Sequence, residues 1–112
     1  MNPLDDRLAG LRELCPGVTF LSDGGKDFIF LPSLKITTNG NVVVMDALLR
    51  PDEHSGYLTR LFLSQPLPSK GRGGGWTTHT IAGRTWHTWS WQNVPATLPL
   101  SQMLLEHLWA LR

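Results

Sequence analysis

The sequence predicts an α+β fold: an antiparallel four-stranded meander held between an N-terminal and a C-terminal helix. Three observations carry this reading. Leucines recur at helical spacing near both ends, as Leu4, Leu8, Leu11 and Leu14 and again as Leu100, Met103, Leu104, Leu108 and Leu111. Between them, short apolar runs alternate with glycine-containing turns. Those turns are too short for the crossovers that parallel strands require, so the pairing is antiparallel. At 112 residues the chain has the length of one compact unit, and a single domain over 1–112 is expected.

Asn2-Pro3 reads as a helix cap followed by proline at the first helical position, with Asp5 and Asp6 at the positive end of the helix dipole. The helix runs over 3–14 and stops at Pro16-Gly17. Residues 18–21 form a strand. Asp23-Gly24-Gly25-Lys26 is a hairpin turn, because glycine accepts the positive φ such turns need. The returning strand covers 28–31 and continues over 33–37 after a bend at Pro32. Asn39-Gly40-Asn41 is the next turn, 42–49 the third strand, 50–56 a polar loop and 57–64 the fourth strand. Pro66, Pro68, Gly71 and Gly73-Gly74-Gly75 mark a flexible loop at about 66–75 that fits no phosphate-binding glycine motif. Residues 94–99 are irregular and precede the C-terminal helix. Leu8, Leu11, Phe20, Phe30, Val43, Leu61, Leu104 and Leu108 are the expected core.

A net charge of +1 offers no basic surface for nucleic acid. No apolar run approaches the ~18 residues that span a bilayer, and the start lacks the pattern of a secretory signal. Cys15 is the only cysteine, which excludes an internal disulfide and multi-cysteine zinc sites and leads us to expect a cytoplasmic protein. Glu106 is the only acidic residue after Glu53, so chemistry by paired carboxylates is not expected.

The run Gly83-Arg84-Thr85-Trp86-His87-Thr88-Trp89-Ser90-Trp91 packs three tryptophans into six residues, with histidine and hydroxyl side chains between them. It reads as extended: either a buried aromatic seam or a recognition surface. His79 and His87 flank Gly83 and could approach across a tight turn, but with no Asp, Glu or Cys beside them no metal is expected. The tryptophans would also suit stacking on single-stranded nucleic acid, without a basic groove to support it.

Gly56-Tyr57-Leu58-Thr59-Arg60-Leu61-Phe62-Leu63, the aromatic run, and Pro95-Ala96-Thr97-Leu98 followed by Gln102-Met103-Leu104-Leu105 resemble prokaryotic E2 family E, a bacterial group similar to ubiquitin-conjugating (E2) enzymes. The resemblance implies a UBC-like scaffold, with an E1-like enzyme and a ubiquitin-like protein as partners and no cofactor. It does not carry over the thioester cysteine: no cysteine lies between residues 16 and 112, and Trp86 or His87 holds its place. The expectation is therefore an E2-like conjugation component working, if catalytic, through His87 as base or nucleophile with Thr85, Thr88 or Ser90 as acceptor. Trp86, Trp89 and Trp91 would wall that site. By the same resemblance, Arg7 and Arg12 on the first helix would contact the E1-like enzyme. The alternatives are a non-catalytic module binding the same partners, or a small nucleic-acid binder.

Overall fold

The computed structural model describes residues 3–38, 40–52, 58–67, 76–89, 94–109 and 111; for residues 3–7 it describes the backbone alone. Helix α1 (Pro3–Leu14) is followed by strands β1 (Thr19–Asp23), β2 (Lys26–Thr38), β3 (Asn41–Arg50), β4 (Arg60–Leu63), β5 (Trp76–Ile81) and β6 (Arg84–Trp89), then helix α2 (Leu100–Trp109). The strands make one antiparallel sheet in the order β1-β2-β3-β4-β6-β5.

The UBC-like four-stranded meander is thus corrected to a six-stranded, β-rich fold with two short helices. The missed pair is β5–β6. Its turn, Ala82-Gly83, has φ of 53° and 77°, and positive φ at both central residues gives the twist a two-residue hairpin needs. Alanine in place of the usual Asn or Asp hid that turn from the sequence. The aromatic run is consequently an interior strand, with β4 on one side and β5 on the other.

Alternation divides the sheet into two faces. Ile29, Leu31, Leu34, Ile36, Ala47, Leu49, Leu61, Leu63 and Trp89 pack with Leu8 and Leu11 of α1 and Leu100, Met103 and Leu104 of α2 in an aliphatic core. Gly10 lets the helices close on each other, since a Cβ there would sit 3.3 Å from Ser101 Oγ. Of the expected core, Leu8, Leu11, Leu61 and Leu104 are buried, whereas Phe20, Phe30, Val43 and Leu108 are partly buried.

The opposite face carries Phe28, Leu48, Phe62, Ile81 and Trp86, which are also buried. Among the described residues no helix packs on them. The sheet curls instead: Leu21 and Phe30 near one edge line the same cleft as Ile81, Ala82, Arg84 and Trp86 near the other. Curling of this degree follows from the strong twist of short strands and from the β-bulge between Leu31 and Leu34. At the bulge Ser33 adopts φ of 52°, and its N–H donates to Asp46 Oδ1 at 3.0 Å.

Candidate functional site

Because β6 is extended, its side chains alternate between these faces. Trp86 and Thr88 turn to the concave face, His87 and Trp89 to the helical face. Trp86 is buried, edge-on to Phe30 at 6.3 Å, with the Arg84 guanidinium 4.6 Å from its ring centre. Thr88 is buried too, and its hydroxyl donates to the Leu61 carbonyl at 2.7 Å. That bond stands in where the β4–β6 ladder is short, its single register pair being Leu63↔His87. Thr88 therefore serves the sheet, with its one proton committed to backbone.

His87 is half-buried between Leu63 and Thr78, and no hydrogen bond joins its ring to another described residue. Thr88 lies on the opposite face from it. The structure separates the expected base from Thr88; Thr85 is exposed two residues before His87 on the same face of β6, and Ser90 lies outside the described residues. The aromatic wall also divides: Trp86 and Trp89 face opposite ways, and Trp91 is outside the described residues. His79 pairs with Trp86 in register, so His79 and His87 project from opposite faces. Among the described residues no cluster of three or more His, Cys, Asp or Glu could hold a metal ion.

Cys15 is buried, and its thiol donates to the Pro32 carbonyl at 3.1 Å. Burial raises its pKa more than the Gly17 amide lowers it. A thiol held protonated inside the core is a poor nucleophile. Arg12 is exposed near the end of α1; the Arg7 side chain lies outside the described set.

Two polar arrangements escaped the sequence reading. His107 is 1% exposed inside the aliphatic core. Thr59 Oγ1 donates to the Val94 carbonyl at 2.9 Å and lies 2.8 Å from His107 Nε2. The hydroxyl has a single proton, so both contacts are satisfied when His107 carries a proton on Nε2 and donates it to Thr59. Burial lowers the His107 pKa to about 4. The signal was present: His107 continues the stripe of Leu100, Met103 and Leu104 at helical spacing. The second arrangement is on the concave face, where Arg50, Arg60 and Arg84 lie over Phe28, Phe62 and Trp86 at 5.6, 5.9 and 4.6 Å. Arg50 also donates to the Asp27 carbonyl, and Arg84 pairs with Asp46 at 3.1 Å. His79 stands edge-on to Phe62 at 5.5 Å, its pKa lowered by burial and then by Arg60. Arg60 and Arg84 each reach the ring two residues on along their own strand, whereas Arg50 meets Phe28 across the β2–β3 register.

No protein-family model, no curated protein and no solved structure matches the chain.

Proposed function

We propose that this protein is a non-catalytic protein-binding module whose partners are an E1-like enzyme and a ubiquitin-like protein. One observation carries the choice of binding over transfer: the Thr88 hydroxyl, the expected acceptor next to His87 in sequence, is buried and donates to the Leu61 carbonyl on the far side of the strand. Cys15, buried and protonated, supplies no alternative. Support for the partners comes from the three stretches that resemble prokaryotic E2 family E. Two of them adjoin in the sheet, with Leu63 beside His87, and Leu104 of the third packs in the same core as Leu61, Leu63 and Trp89. The free thiol fits the reducing cytoplasm. No described helix is long and apolar enough to cross a membrane.

The test mixes the purified chain with E1-like enzyme, ubiquitin-like protein and ATP. Calorimetry is expected to find a saturable complex with at least one partner, and intact-mass analysis to find no covalent adduct. Reversing charge at Arg7 and Arg12 should weaken E1 binding at unchanged thermal stability, since exposed charges add little to folding. An alkali-labile adduct lost in His87→Ala would restore the carrier role. Binding to neither partner removes the reading.

A further inference from the structure

β2 is longer than the neighbour on its outer side. β1 pairs with it only from Lys26 to Phe30, whereas β3 continues to Thr38. Beyond the bulge, Leu34–Thr38 therefore has an outer edge with no strand beside it among the described residues. The register fixes which main-chain groups that edge presents. Antiparallel residues alternately turn N–H and C=O toward the partner strand and away from it. The hairpin closes on Thr38↔Asn41 around residues 39–40, so Thr38, Ile36 and Leu34 face β3, while Lys35 and Thr37 face outward.

Lys35 and Thr37 line a cleft of about 520 Å³. Leu34, Leu104 and Leu108 line it too, and beside them Leu14 at the end of α1 and Leu105 and Trp109 of α2 leave 43%, 44% and 49% of their surface exposed. Glu13 and Glu106 add two carboxylates against the one ammonium of Lys35. An edge with outward main-chain donors and acceptors beside an apolar wall is the arrangement that captures a peptide by strand addition. The terminal strands β1 and β5 are short, five and six residues, and short edge strands resist further pairing.

We propose that this cleft binds an extended, apolar and basic segment of a partner protein, which pairs with Lys35 and Thr37 as a further strand and sets alternate apolar side chains against Leu14, Leu105 and Trp109. Main-chain pairing supplies affinity, and the wall and the two carboxylates supply selectivity. A second copy of the chain fits poorly. Pairing two identical edges would bring Lys35 toward its counterpart, and the exposed Lys35 guards against it. The inference does not depend on the pathway proposed above.

The test selects from capped hexapeptides with Val, Leu or Phe at alternate positions, Thr between them and Arg at either end, read by fluorescence anisotropy. The expected result is saturable binding of selected peptides. N-methylation of the amides that face β2 should weaken it at least tenfold, while methylation of the alternate amides is tolerated. Trp109→Ala and replacement of the peptide Arg by Glu should each weaken it. Thr37→Pro removes an outward N–H without touching the β2–β3 ladder, a change sheet edges accept, and should also cost at least tenfold. Hydrogen exchange on the unaltered protein settles the matter should Thr37→Pro unfold: the Lys35 and Thr37 amides should exchange quickly alone and slowly with peptide. Overturning results are no binding, binding blind to the phase of N-methylation, or full affinity in a folded Thr37→Pro. Protection of those two amides that rises with protein concentration, alongside a dimer in sedimentation, would assign the edge to a second copy.

Discussion

The two faces of the sheet bury their side chains by different means. The helical face is aliphatic and sealed by separate elements, α1 and α2, with one polar pair, Thr59 and His107, inside. The concave face is aromatic and sealed by the sheet's own curl, its rings overlaid by arginines. A helix brings enough apolar surface to seal a face; a curled sheet leaves a rim that long cationic side chains cover with their stems. The two faces should therefore answer differently to truncation, to acid and to salt.

Truncation should have the largest effect. Leu104→Ala on the helical face should cost about 2–5 kcal/mol and Phe62→Ala on the concave face about 3–5 kcal/mol by urea unfolding, as buried cavities do. Both side chains are fully buried. A Phe62→Ala cost near that of an exposed site would show that the curl does not seal the concave face, and the comparison would fail.

Acid should act chiefly on the helical face. His107 in the folded protein titrates at about 4 rather than the ordinary 6.5. Between those values the unfolded chain binds a proton and the folded chain does not, so stability is present above pH 6.5 and is lost as the pH falls toward 4. A gap of that size is worth about 3 kcal/mol. His107→Leu should flatten this part of the stability profile, and Thr59 would still donate to Val94. An identical acid slope in the variant would locate the acid response elsewhere.

Salt should act on the concave face, and weakly. Asp46, its pKa lowered by the Ser33 amide and then by Arg84, pairs with a half-exposed guanidinium. A double-mutant cycle over Arg84 and Asp46 should give about 0.2–1 kcal/mol, shrinking in high salt. A coupling several times larger would make the arginine roof structural rather than protective.

An effect of similar small size concerns the turn that joins β5 to β6. Ala82 holds a positive φ that alanine resists. Ala82→Asn should raise stability by about 0.5–1 kcal/mol, since asparagine visits that region at lower cost. A loss of stability would mean that the alanine methyl, which lines the concave cleft, matters more than the turn.

The sequence by itself determined the local structure. Leucine spacing located both helices, and Gly24-Gly25 and Gly40 located two hairpins, because period and turn chemistry are properties of neighbouring residues. It also showed that no cysteine stands in the aromatic run. Only the tertiary structure decided what those elements meant. Strand β5 was obscured by the unusual Ala82-Gly83 turn, and with it went the knowledge that β6 is interior. Side-chain alternation could predict that His87 and Thr88 point apart, but not that Leu61 would take the Thr88 proton, a contact across 27 residues. The pairing of His107 with Thr59 spans 48 residues, and the free edge of β2 exists because β1 is shorter than β3. Each is a relation between strands or helices remote in sequence, set by register and curl, which no local pattern encodes.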